Sequence, residues 1–248
     1  MLFIPSSAIA GGYKIPEQSA NSMALAAAYV ANAHGADPSY YNPANMVWED
    51  DAARMEIGAS CIKLPQVDFS GEVAGFPAGS SSRPEQFYLP NFHYVSPQAG
   101  DFRFGLSMAV PFGLSKRWDG ALQKLTAEEF TFKTVELNPS FGYKINDRLS
   151  MGGGARGIYS DGKVKSDGVT LIGGAIPTRL VRRMDGNDVT FAYNLAIAYK
   201  PVENLAMAAT YRSRSVANLE GNAFLFSSNS LGTSVYDSGG TVKATLPT

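Results

Sequence analysis

The residues best suited to nucleophilic, acid–base or metal chemistry in this 248-residue chain are two histidines, His34 and His93, and one cysteine, Cys61. None stands at a spacing that such chemistry uses. No Cys or carboxylate lies at ligand distance along the chain from either histidine, so no zinc or iron site and no cofactor is expected. GxSxG, P-loop and strand-linked GxGxxG patterns are absent. A single thiol cannot close an intrachain disulfide, and a lone cysteine is more often a small buried hydrophobe than a nucleophile. A lipase or protease built into a barrel wall would need a Ser-His or Asp-His constellation. His93 is the only histidine on a strand pattern, and such a residue is more often structural. Enzyme chemistry is not expected.

Charge narrows the partners. Lys and Arg number 21 against 22 Asp and Glu, for a net charge of -1. The basic residues are scattered singly, which excludes the concentrated basic surface of a nucleic-acid binder. No run approaches the roughly 18 apolar residues of a spanning helix.

The elements that must carry any function are strands, and parity identifies them. From Val135 to Ile145 the odd positions are Val135, Leu137, Pro139, Phe141, Tyr143 and Ile145; the even ones are Glu136, Asn138, Ser140, Gly142 and Lys144. Side chains alternate across a strand, so one face is apolar and the other polar. The pattern recurs at Val189–Lys200 and Phe102–Phe112, more weakly at Leu149–Tyr159, and briefly at Met55–Cys61 and Leu205–Tyr211. Strands of about ten residues suit a tilted crossing of a bilayer. The polar face carries Gly, Ala, Ser and Thr with few Lys or Glu, which disfavours a soluble β-sandwich. Short turns (Ser96–Gly100, Asn146–Asp147, Pro201–Asn204) alternate with long connections (64–85, 113–130, 160–188), as in outer-membrane barrels with their long loops outside. Tyr143, Tyr159, Tyr199 and Tyr211 near strand ends suit an interfacial girdle. The expected fold is all-β, a transmembrane antiparallel β-barrel with about eight strands present. The last runs from Thr241 to Leu246, so further strands are expected beyond Thr248. Gly152-Gly153-Gly154 is read as close packing in the wall.

The N-terminus does not alternate. Residues 1–10, an apolar stretch ending in Ala8 and Ala10, read as the tail of a secretory signal or as a first strand. Ser19–Ala33 is Ala-rich and helix-prone, with Ser19 or Ser22 as N-cap. Residues 11–48 could fold into the barrel as a plug, or form a periplasmic tail or a short peripheral helix. Residues 49–248 would form the wall.

Several short motifs run in order along the chain: Gly11-Gly12-Tyr13 to Glu17-Gln18-Ser19, Asp37 with Asn42-Pro43-Ala44, Pro90-Asn91-Phe92-His93-Tyr94, Tyr211-Arg212-Ser213 with Gly221-Asn222, and Leu246-Pro247. On these the chain resembles the FadL-type long-chain fatty acid transporters of Gram-negative outer membranes. The resemblance implies a fourteen-stranded barrel whose N-terminal hatch, carrying Asp37, Asn42, Pro43 and Ala44, plugs the lumen. It implies passive transport of a hydrophobic small molecule, a fatty acid or aromatic hydrocarbon, by a monomer embedded in outer-membrane lipid. Substrate would be captured on external loops, pass to a lumenal pocket and leave sideways where the third strand is kinked.

The stretch matching that kink is Val110-Pro111-Phe112-Gly113. Pro111 lacks a ladder donor and Gly113 tolerates unusual dihedrals, so pairing has a physical reason to fail, either as a kink or simply as the strand's end. In the following loop Trp118, Leu122 and Leu125 follow helical spacing, with Phe130 beyond, so a short amphipathic helix is expected. Its apolar face would capture acyl chains or pack on the neighbouring loop. For a carboxylate, the candidate cations on the non-lipid parity are Arg103 and Arg156, with Lys163 and Lys165 just above; the family's basic ligand falls closest to Lys165 or Ser166. A general diffusion porin is the alternative, and would have a charged constriction and no hatch.

Overall fold

The computed structural model describes residues 13–73, 76–237 and 242–247, so the signal reading of residues 1–10 lies outside the described residues. Strands β1 (Arg54–Leu64), β2 (Asp68–Val73), β3 (Phe76–Ser81), β4 (Glu85–Val95), β5 (Phe102–Ala109), β6 (Gly113–Arg117) and β7 (Glu129–Lys144) come first. They are followed by β8 (Leu149–Ile172), β9 (Ile176–Val202), β10 (Leu205–Arg212), β11 (Val216–Asn229), β12 (Gly232–Asp237) and β13 (Val242–Pro247). All but the β2–β3 hairpin join one sheet in the order β1-β4-β5-β7-β8-β9-β11-β12, and every described pairing is antiparallel.

Three crossings are interrupted. β5 and β6 both pair with β7, β10 and β11 both pair with β9, and β12 and β13 both pair with β11. Counting each such pair as one crossing leaves eight, matching the parity reading. At the β10–β11 interruption, Ser213 stands in for the ladder: its amide donates to the Tyr193 carbonyl and its Oγ accepts from the Tyr193 amide, each at 2.9 Å.

The faces are inverted relative to a soluble protein. Ile57 is 72% exposed, Phe191 83% and Leu195 54%, whereas Arg103, Glu136 and Asn138 on the opposite parity are fully buried. A contiguous apolar face of this kind is stable only against lipid or a partner. Tyr159, Tyr199 and Tyr211 lie on the outward side. Cys61 shares the outward parity of Met55, Ile57 and Ala59 and is exposed, not buried as expected, because its strand presents that face outside the sheet.

Two expected loops are strands instead. The connection 160–188 is the upper half of a hairpin in which β8 and β9 run for 24 and 27 residues to a turn at Gly173-Gly174, both with positive φ. About ten residues cross a bilayer, so much of this arm stands beyond it. There both faces are wet and alternation fades, although the backbone ladder continues. The connection 64–85 likewise contains the β2–β3 hairpin.

The Ala-rich helix is also much shorter than expected. Ser19 does cap α1 (Ala20–Ala24), accepting from the Ser22 amide at 3.1 Å, but Ala26 and Ala27 turn the chain through positive φ. A one-turn helix gains little from propensity, and docking of the segment decides its path. α2 (Pro38–Tyr41) and a 3-10 turn (Pro43–Trp48) follow, and both pack on the inward parity of β5 and β7.

Candidate functional site

Glycines on the wall make the seat for the Asn42-Pro43-Ala44 turn. A Cβ on Gly142 would lie 2.6 Å from the Pro43 carbonyl oxygen, and one on Gly152 would lie 2.7 Å from the Ala44 nitrogen. Of the glycine triplet, Gly152 therefore admits the turn, while Gly154 faces Asn138 and Asn194. Ser150 Oγ donates to the Ala44 carbonyl at 2.7 Å. Asn42 Oδ1 accepts from the Ala44 amide and its Nδ2 donates to the Val30 carbonyl, while Asn45 Nδ2 reaches the carbonyls of Ala31 and Ala33. Asp37 is fully buried; Oδ2 accepts from Asn21 at 3.3 Å, and Oδ1 finds no donor in good hydrogen-bond geometry among the described residues. Burial holds its carboxyl above the usual aspartate range.

The break at Pro111 has two causes. β4 and β5 pair only at Phe92–Val95 with Gly105–Met108. Continuing that register sets Val110 against Pro90, so neither Pro90 nor Pro111 can donate where the ladder should run on. β6 then resumes pairing with β7 but not, among the described residues, with β4. The N-terminal segment fills the vacancy. Ile15 donates its amide to the Pro111 carbonyl at 2.8 Å, the Gly113 amide donates to Tyr13 at 2.9 Å, and Lys14 sits opposite Phe112. The Gln18 side chain completes the closure by bonding both backbone groups of Val110 at 2.9 Å. His93, fully buried, donates from Nε2 to the Gln18 carbonyl at 2.9 Å. Thr134 Oγ1 bonds the amide and carbonyl of Phe112.

Beside this closure lies a cleft of about 390 Å³, lined by Ile62, Phe87, Leu89, Phe112 and Phe132 and stopped by Ile15. Phe132 also packs with Ala217 and Leu219, flanked by Phe112 and Phe130. Pro111, Phe112 and Gly113 thus stand together at a strand that breaks and resumes.

The loop residues are less united. α3 is Ala121–Ala127, so Leu122 and Leu125 lie on it, but Trp118 precedes it in an isolated bridge to Ser82 and Phe130 belongs to β7. The wall strands capture both ends of the expected helix: Phe130 pairs with Lys116 inside the β6–β7 ladder, and the Trp118 amide donates to the Glu128 carbonyl just past its end. Leu125 packs on β8, where a Cβ at Gly168 would lie 2.8 Å from its Cα; Leu122 is exposed.

All four cations proposed from parity have partners. Arg103 is fully buried and donates to the carbonyls of Ser96, Met46 and Ala52, tying the end of the 3-10 turn to the wall. Arg156 donates through Nε and Nη2 to Glu136 Oε2 at 2.9 and 2.8 Å. Lys163 and Lys165 face Glu129 at 3.9 and 3.2 Å. Sequence reasoning missed Gln18, Glu136 and Arg212. Arg212 pairs with Glu136 Oε1, donates to the Tyr40 carbonyl at 3.2 Å and lies 4.4 Å over the Tyr40 ring. Burial pushes the Tyr40 hydroxyl up to about 12. Glu136 was visible as the only acid on the polar face of the Val135–Ile145 strand.

Comparison with known proteins agrees with this architecture. A family model described as outer membrane protein transport protein (OMPP1/FadL/TodX) matches residues 1–248. Long-chain fatty acid transport proteins of Escherichia coli and Shigella flexneri are each 26% identical over 252 residues, covering 88% of this chain and 55% of their own length. Among solved structures, a Pseudomonas aeruginosa FadL homologue aligns with a TM-score of 0.71 at 18% identity, over 87% of this chain and 55% of that one. The Pseudomonas putida toluene transporter TodX aligns with a TM-score of 0.60 at 18% identity, over 86% and 57%. The chain therefore spans about half the length of the relatives it matches.

Proposed function

The chain belongs to the OMPP1/FadL/TodX family of outer-membrane transport proteins, and from that premise we propose that it passes hydrophobic molecules, long-chain fatty acids or aromatic hydrocarbons, across the outer membrane without energy input. In this reading residues 11–48 act as a hatch. Substrate reaches the lumen after contact with the external loops, where Trp118, Leu122, Leu125 and Phe130 offer apolar surface. It then leaves through the wall at Pro111–Gly113 into lipid.

The observation that carries this reading is the closure at the broken strand. An apolar cleft adjoins a wall segment whose β4 side is closed by a few residues of the N-terminal segment. Two backbone bonds and the Gln18 side chain hold it shut, each bond worth about 0.5–1.5 kcal/mol net. Opening it therefore costs a few kcal/mol, within reach of ordinary local unfolding. The bolted part of the segment, Asn42–Met46 in its glycine seat, need not move.

The test is uptake of labelled oleate and labelled toluene by cells expressing the complete gene, with and without residues 11–48. Saturable uptake of at least one, altered by the deletion, supports the reading. Equal slow leakage of both alongside fast glucose flux would identify a general porin instead.

A further inference from the structure

Five polar atoms beneath α2 find no partner in good hydrogen-bond geometry among the described residues. They are His93 Nδ1, Ser107 Oγ, Asn138 Oδ1, Ser140 Oγ and Asn194 Oδ1, each on a buried side chain. They stand on two adjacent inward rows of the wall. One row runs through His93, Ser107 and Asn138 on β4, β5 and β7; the next runs through Gly105, Ser140, Gly154 and Asn194 on β5, β7, β8 and β9. α2 lies over them. The Tyr40 ring is 6.2 Å from that of His93, Asn138 Nδ2 reaches the Ser39 carbonyl at a long 3.5 Å, and a Cβ on Gly105 would lie 2.8 Å from Ser39 Cβ.

Two of the five atoms converge. A Cβ on Gly154 would lie 2.4 Å from Asn138 Oδ1 and 2.8 Å from Asn194 Oδ1, so both amide oxygens aim over one glycine, close enough to share a bridging donor. His93 commits Nε2 to the Gln18 carbonyl, which leaves Nδ1 an acceptor. The seam therefore asks chiefly for donors, and leaving it unmatched would cancel much of a fold's net stability. A metal cation is the wrong occupant. Arg212 pairs with Asn194 across β9 and β10, Arg156 lies two residues beyond Gly154 on the same face, and both already share the one acid, Glu136. Water needs only a few polar partners and no counter-charge.

We infer that the seam between α2 and the wall binds ordered water, one molecule bridging Asn138 and Asn194 over Gly154, and that this wet seam is a slip plane for the hatch. α2 lifts by exchanging one set of water bonds for another, whereas Ala44 would have to break its direct bond to Ser150 and leave its glycine seat. The direct tie from Arg212 to the Tyr40 carbonyl lies toward that seat, so α2 lifts from its Pro38 end. The water site stands on the geometry; its part in opening rests on the transport reading.

The experiment is a crystal structure of the purified full-length protein, at a resolution that shows ordered solvent, together with amide hydrogen exchange of the same protein. A water should lie about 2.8 Å from both Asn138 Oδ1 and Asn194 Oδ1. The Tyr40 and Tyr41 amides, which donate to the Asp37 carbonyl, should be about tenfold less protected than the Asn45 amide, which donates to Asn42 in the bolted turn. An Asn194 amide turned over to donate directly to Asn138 Oδ1, or a metal ion between the two oxygens, would overturn the water site. Equal protection of the three amides would overturn the slip plane. Neither result bears on whether oleate or toluene crosses, which the uptake assay decides, so failure here leaves the transport reading standing.

Discussion

Gln18 supplies Val110 with the strand partner that Pro90 cannot be: its Nε2 donates to the Val110 carbonyl and its Oε1 accepts from the Val110 amide, both at 2.9 Å. A side-chain amide thus imitates one rung of a β-ladder. A covalent strand would hold that rung through its neighbours, whereas this one hangs on a segment that also bonds to itself, from Gln18 Nε2 to the Ile15 carbonyl. Replacing Gln18 with Leu should cost about 2 kcal/mol of local closure, through two lost bonds and an unpaired Val110 amide. Hydrogen exchange at Val110 and Gly113 should speed up while the β7–β8 ladder stays protected.

The glycine seat is a matter of volume. Gly152→Ala would drive a methyl group into the Ala44 backbone, with Gly105 and Gly142 crowded in the same way by Met46 and Pro43. Overpacking of this kind costs about 1–3 kcal/mol. Thermal unfolding of the variant should fall by a matching amount, and protease should cut within residues 30–48 sooner than in the wild type.

Glu136 is needed because its partner Arg156 is buried. Glu136→Ala leaves the Arg156 guanidinium, 2% exposed, without its carboxylate. Breaking a buried pair in this way costs about 3–5 kcal/mol. The double variant Glu136→Ala with Arg156→Met should recover part of that loss in denaturant titration, because the buried Arg156 charge goes with the acid while the less buried Arg212 is left without its carboxylate.

Asp37 gives the N-terminal segment a pH dependence. Its folded pKa is raised by burial, so the docked state favours the protonated form. The contribution is full below the ordinary aspartate range and is lost as pH rises through the raised value. Protection of the amides of residues 29–42, taken relative to their intrinsic base-catalysed exchange rates, should therefore be higher in mildly acidic than in neutral buffer. Asp37→Asn should remove that difference.

The wall was legible because lipid enforces a two-residue period, and β7 shows it residue by residue: Val135, Leu137 and Phe141 outward, Thr134, Glu136 and Asn138 buried. Beyond the bilayer that constraint lapses, and the ladder of Ser166 with Arg182 or Val169 with Arg179 left no periodic trace. Pro111 could be recognised as a break from its chemistry alone. What fills the break could not, because Gln18 and Val110 are 92 residues apart and glutamine has no spacing rule. Arg103 looked like a ligand cation from parity, yet three carbonyls consume it. Parity gives the face a charge occupies but not the partners already there.

The central claim, passage at a wall break closed by the N-terminal segment, is tested most directly by locking that segment. Lys14 and Phe112 face each other as a non-hydrogen-bonded antiparallel pair, the closer of the two spacings at about 4.5 Å between Cα atoms. In a Cys61→Ser background, Lys14→Cys with Phe112→Cys should form a disulfide on oxidation. Oleate uptake by cells carrying this variant should stop when oxidised and return to its own reduced level with a reductant. Equal uptake in the oxidised and reduced states, with the crosslink verified, would contradict the account.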